Sequence, residues 1–188
     1  GSEMCIRDRP EGDFASGDGT QNNPYVIANT THIQNMSKVL IGKQTTYFVL
    51  SADIDMQGIK WTPLNGDGPY EKWIIFDGRN HVIRNLTCDS GSYPSFFGVL
   101  CGECKNVGFV DANISSTNQG IGIIAGYVGL NSGAVGFTGK IINCYTTGIL
   151  KGSGAAGGIG GIFGGNGRIE NCYTTATIIL SLIHISEP

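Results

Sequence analysis

Cys101-Gly102-Glu103-Cys104 has the spacing of half a zinc site or of a redox pair. Cys144 and Cys172 stand 28 residues apart in two near-identical stretches. Stacked one above the other they would lie about 5 Å apart, within disulfide range. Both chemistries compete with a plainer use, because buried cysteine behaves as a small hydrophobe. Cys104 occupies the position held by Ile83, Ile141 and Ile169 in the matching stretches, which points it inward. Cys144 and Cys172 replace Leu86 and Val107 in the same way. A ladder of free thiols is the expectation, and the disulfide state of Cys88, Cys101, Cys104, Cys144 and Cys172 stays open at this level.

Asp53 and Asp55 are two apart on a strand and so share a face, the arrangement for a weak cation site or a carboxylate pair; a solvated strand face is the competing account. His81 lies near Arg79 and Arg84, and a structural role is favoured for it, while His32 has no evident partner. Turn chemistry accounts for Asp77 in Phe-Asp-Gly-Arg-Asn. No Ser-His-Asp or Cys-His set shares a local frame, so no catalytic residue and no cofactor is assigned. Polysaccharide lyases and hydrolases need acidic clusters or a basic residue on a groove floor, whereas the repeat faces here carry Thr, Ile and Gly. Tyr145 and Tyr173, in register, and Trp61 and Trp73 are the candidate aromatic strip for sugar or protein contact.

The element that must position all of these is a repeat. Ile169-Glu170-Asn171-Cys172-Tyr173-Thr174-Thr175 follows Ile141-Ile142-Asn143-Cys144-Tyr145-Thr146-Thr147 at a spacing of 28 residues. The looser pattern apolar-x-Asn-apolar adds Ile83 to Leu86 and Cys104 to Val107. A glycine behind apolar residues precedes each copy, at Gly78, Gly98, Gly126 and Gly164. It lies 7, 8, 17 and 7 residues before Asn85, Asn106, Asn143 and Asn171, so the third copy carries an insertion near 129–139. Such a period signals stacked units, none of which buries its own inner face alone. The prediction is a parallel β-helix with a corner at each asparagine, which tolerates the left-handed conformation and can bond to the asparagine stacked above.

Thirty glycines, 14% charged residues, a formal charge of -3 and a pI near 5.5 describe a Gly-rich, β-leaning chain. No basic cluster invites nucleic acid, and no apolar run reaches the roughly 18–20 residues of a membrane span. Residues 1–9 (GSEMCIRDR) and 180–188 (LSLIHISEP) read as translations of the two strands of a transposase adapter used to build sequencing libraries, and are expected to be foreign to the protein. Residues 10–179 are then one domain from a longer protein, with a capping region over 10–75 and repeats over 76–179. Within the former, a strand over Pro24–Ala28, an amphipathic helix capped near Asn29 and striped by Ile33, Met36, Val39 and Leu40, and a strand over Thr46–Ile54 are expected.

Gly17 to Ile27 (GDGTQNNPYVI), Tyr47 to Asp55, Trp61 to Leu64 and Phe76 to Leu86, followed by the Gly-rich element and I-x-N-C-Y-x-T, resemble GLUG-motif surface proteins of gut and oral bacteria. The resemblance covers nearly all of residues 12–178. It implies an all-β, right-handed parallel β-helix with one short N-terminal capping helix, on a secreted or surface-anchored, adhesin-like bacterial protein. Similar repeats accompany IgA-cleaving metalloendopeptidases, but no His-Glu-x-x-His occurs here to carry that activity. The expected function is a non-catalytic, extracellular spacer and adhesion module, a monomeric segment that meets a glycan or a host surface protein. The alternative is an accessory domain of a larger secreted hydrolase, either an IgA-type metallopeptidase or a polysaccharide-degrading enzyme.

Overall fold

The computed structural model describes residues 12–42, 44–66, 72–117, 120–129, 138–164 and 166–181. Residues 1–9, the insertion over 130–137 and residues 182–188 lie outside them. Among the described residues the protein is mostly β, with one helix. In chain order the elements are β1 (Tyr25–Ile27), α1 (Thr30–Val39), β2 (Thr45–Leu50), β3 (Ile54–Asp55), β4 (Trp73–Asp77), β5 (Val82–Arg84) and β6 (Thr87–Cys88). They continue with β7 (Phe97–Lys105), β8 (Gly108–Ser116), β9 (Ile121–Gly122), β10 (Ala125–Val128), β11 (Gly139–Ile142), β12 (Tyr145–Gly152), β13 (Ala156–Gly157), β14 (Gly160–Phe163), β15 (Gly167–Glu170), β16 (Tyr173–Thr174) and β17 (Thr177–Leu180).

Every pairing between these strands is parallel. One sheet runs β1-β2-β4-β7, then continues as β10-β14 on the first half of β7 and as β11-β15 on its second half. A second sheet runs β3-β5-β8-β12-β16, with β6 beside β8 and β17 beside β12. Strands β9 and β13 form a third, short ladder. The chain therefore climbs in parallel tiers: β1 adds to the first sheet alone, each later tier adds to the first and second sheets, and the last two add the β9–β13 ladder. Parallel pairing begins at β1, within the stretch read as the capping region.

The tiers share one core. In the first sheet Phe48, Phe76, Cys104, Ile141 and Ile169 form one register column. The first four are buried, and Ile169 is 39% exposed. That corrects the expectation of a buried Ile169: it holds the inward position, but no described strand lies beyond β15 to cover it. Phe163, Tyr173, Ile178, Ile179 and Leu180 are exposed at the same end. The opposite end is closed. The backbone of Ala15 and Ser16 bonds the free edge of β1 at Val26, and α1 buries Ile33 and Met36 against the core. Asn29 caps α1 by accepting from the His32 amide at 3.0 Å, supplying an acceptor to an orphan N–H.

The columns also correct the repeat alignment. Ile83 pairs with Ile54 and Phe109 in the second sheet, not with Cys104, whose partner in the tier below is Phe76. Asn85 therefore turns a different corner from Asn106, Asn143 and Asn171, and Cys144 and Cys172 continue the place of Val107 rather than Leu86. Both corners ask for the same thing, an inward apolar residue two before a left-handed one, so their sequences look alike.

Candidate functional site

The corners gather most of the polar side chains that suggested chemistry. At the first, Asn106, Asn143 and Asn171 have φ of 53°, 52° and 52°, where asparagine is enriched among non-glycine residues. Asn171 Nδ2 donates to Asn143 Oδ1 at 3.3 Å, Asn143 Nδ2 to Asn106 Oδ1 at 3.1 Å, and Asn106 Nδ2 to Asp77 Oδ1 at 3.0 Å. At the second, Asn85 (φ 57°) donates to Asp55 Oδ1 at 2.8 Å, and Asp111 (φ 56°) stands one tier above it. Thr147 Oγ1 accepts from the Asp111 amide at 2.9 Å.

The two aspartates weighed as a cation site serve separate bonds. Asp53 Oδ1 accepts from the Val82 amide at 3.0 Å and meets His81 Nδ1 at 3.1 Å. Asp53 precedes β3 rather than lying in it. The Val82 bond, then His81, holds its carboxyl below the ordinary carboxylate range. Asp55 is likewise lowered, first by Asn85 and then by the Gln57 amide. Among the described residues no group of three or more His, Cys, Asp or Glu side chains is placed to hold a metal ion. His32 also has partners: its Nδ1 accepts from the Ala28 amide at 3.1 Å, and Asn29 lies 3.4 Å from Nε2.

None of the described cysteines forms a disulfide. Cys101 and Cys104 are both buried, and burial pushes the Cys101 thiol up to about 12 and the Cys104 thiol well above its ordinary value. Thiols held protonated in this way are poor nucleophiles and poor metal ligands. Cys144 and Cys172 turn their Sγ atoms to the Ile142 and Glu170 carbonyls at 3.2 and 3.1 Å, and the Cys144 amide donates to Cys172 Sγ at 3.3 Å.

The aromatic candidates separate. Trp61 is 4% exposed, lies flat on Phe96 at 5.0 Å and donates Nε1–H to the Phe96 carbonyl at 2.9 Å, so it belongs to the core rather than to a binding strip. Trp73 is partly buried on β4, in the first sheet. Tyr145 and Tyr173 are register partners on β12 and β16, stacked at 5.4 Å with planes 8° apart, and Tyr173 is 61% exposed. Below them stands Gly108, where a Cβ would meet Tyr145 Cζ at 2.3 Å. Only glycine lets the lower ring lie against the preceding tier. The free face of Tyr173 can stack on a sugar ring or an apolar side chain, with Tyr145 backing it.

One set of residues escaped the reading by motif. Lys140 and Arg168 hold the same register position in β11 and β15, one tier apart. The signal was legible as Gly139-Lys140-Ile141 against Gly167-Arg168-Ile169, a basic residue repeated at the 28-residue period.

Fold and site together define a parallel-sheet repeat domain whose polar residues mostly tie tiers to one another. No protein-family model matches the chain. A solved structure from Bacteroides ovatus, provisionally described as an immunoglobulin A1 protease, is 55% identical and superimposes with a TM-score of 0.84 over 88% of this chain and 51% of the other. A protein of Evansella cellulosilytica, provisionally named a Gly-rich membrane protein, is 30% identical over 138 residues, 54% of this chain and 15% of the relative. The chain thus spans about half of the solved neighbour and a small part of the curated relative. No helix among the described residues is long and apolar enough to cross a membrane.

Proposed function

We propose that the chain is a stretch of right-handed parallel β-helix, built from GLUG-type repeats, that works as a non-catalytic spacer and binding arm of a larger secreted or surface-anchored bacterial protein. The observation that carries the reading is where the candidate chemistry goes. Asp53, Asp55 and Asp77 accept bonds from the neighbouring tier, and Cys101 and Cys104 are buried, while Tyr173, stacked on the half-buried Tyr145, is exposed. A rigid ladder with an exposed aromatic ring at the end of a stack suits holding a glycan or a host surface protein.

The likeness to half of a chain described as an immunoglobulin A1 protease supports a second reading, an accessory domain that presents substrate to a catalytic domain elsewhere in the parent protein. One experiment separates the two. The purified chain is screened on a glycan array and incubated with immunoglobulin A1, with capture and cleavage measured separately. Glycan binding without immunoglobulin capture supports the adhesive arm, and capture without cleavage supports the accessory domain. Cleavage of either ligand, lost on changing Asp53 or His81, would overturn the non-catalytic reading.

A further inference from the structure

Lys140 and Arg168 are directly opposed on adjacent parallel strands, with backbones about 4.8 Å apart. Like charges placed so are destabilising. Glu103 stands in the same column on the other side of Lys140, but Lys105 engages it at 2.9 Å. Among the described residues neither Lys140 nor Arg168 makes an ion pair. Thr138 and Asn166 stand two residues before them, just ahead of β11 and β15, and complete a polar grid with the two cations.

Over this grid opens a hollow of about 280 Å³, lined by Thr138, Lys140, Asn166, Gly167 and Arg168. Gly167 brings main chain rather than a side chain to the lining. We propose that this hollow binds the carboxylate or sulfate group of an acidic glycan. The Arg168 guanidinium offers a planar fork that matches either oxyanion, and Lys140 adds a point charge beside it. The Thr138 hydroxyl and Asn166 amide can bond to ring hydroxyls. The lining has no apolar wall to seat a peptide side chain, which favours a saccharide over an acidic peptide. An anion between the two cations also relieves their repulsion. The inference rests on the binding-arm reading and names the ligand class for it.

The test is affinity electrophoresis of the whole chain and of a Lys140→Ala/Arg168→Ala double variant. The gels hold polygalacturonate (carboxylate), heparin (sulfate), dextran (neutral) or poly-glutamate (acidic peptide). Retardation by polygalacturonate, heparin or both is expected, weakening as salt is added. The double variant should lose affinity about tenfold, equivalent to about 1.4 kcal/mol, with its melting temperature unchanged or raised because a repulsion has gone. The better-retained acidic glycan identifies the oxyanion. Equal retardation of parent and variant, poly-glutamate binding as strong as that of the glycans, or no retardation by either acidic glycan would overturn the inference. Binding to dextran or to other glycans on the array would leave the arm itself standing in that event, whereas hydrolysis of array glycans or of immunoglobulin A1 would overturn both.

Discussion

The side-chain amide of Asn143 donates to Oδ1 of Asn106 at 3.1 Å across 37 residues of sequence, and its own Oδ1 accepts from Asn171 at 3.3 Å. The run ends on the Asp77 carboxylate, a stronger acceptor than an amide. Asn143→Ala removes one bond on each side and puts a Cβ-bearing residue without a polar group at φ 52°. A loss of about 1–2 kcal/mol is expected. Asn143→Gly, which keeps the backbone conformation at no steric cost, should lose less. Equal denaturant midpoints for the alanine variant and the parent would show that the ladder contributes nothing to stability.

The corners are legible in the sequence because a left-handed residue after an inward apolar one restricts the choice of amino acid, and asparagine answers it repeatedly. Which corner each belongs to is not. Ile83-Arg84-Asn85 and Cys104-Lys105-Asn106 meet the same local demand, and only the pairing of β5 with β8 and of β4 with β7 separates them. Trp61 was open to misreading for a related reason. It sits between isolated bridges at Lys60 and Leu64, with no periodic strand around it, and its partner Phe96 is 35 residues away. Nothing local says that its ring is buried. His32 is similar: its acceptor role depends on the bend that brings the Ala28 amide back onto the first turn of α1.

Ile141 and Ile169 share a column but not an environment, being 0% and 39% exposed. Aspartate at 141 would place an unpaired charge among Cys104, Cys144 and the rest of the core, and should cost about 4 kcal/mol or more, enough to threaten folding. Aspartate at 169 keeps contact with water and should cost under about 1 kcal/mol. Thermal melting of the two variants checks the difference. Similar destabilisation in both would mean that Ile169 is covered in solution.

Gly108 and Gly148 predict opposite kinds of damage. A Cβ at Gly108 meets the ring of Tyr145, which can swing outward, so Gly108→Ala should change stability by under about 1 kcal/mol yet break the stack with Tyr173. At Gly148, φ is 139° and the Cβ would lie 2.1 Å from the Ala112 carbonyl oxygen, a backbone atom that cannot step aside. Gly148→Ala should therefore cost at least about 1–2 kcal/mol from the backbone conformation alone. Near-UV circular dichroism of the tyrosine band, read beside melting, separates the two. A changed band with melting intact is expected only for Gly108→Ala.

His32 makes the amino-terminal cap sensitive to mild acid. Burial, partly offset by the Asp13 carboxylate, lowers its pKa below the ordinary 6.5. The same direction follows from geometry, because Nδ1 accepts from the Ala28 amide and must be unprotonated to do so. The folded state thus holds its proton less tightly than the unfolded chain. The stability contributed is complete above pH 6.5 and falls as pH drops below that value, until the lowered folded-state pKa is reached. Asp53 and Asp55 act in a separate window, since their lowered pKa values matter only below the ordinary 3.8. Melting temperature should therefore fall from pH 7.5 to 5, and His32→Asn, weaker throughout but without the ring, should flatten that slope. A slope unchanged in His32→Asn would assign the acid sensitivity elsewhere.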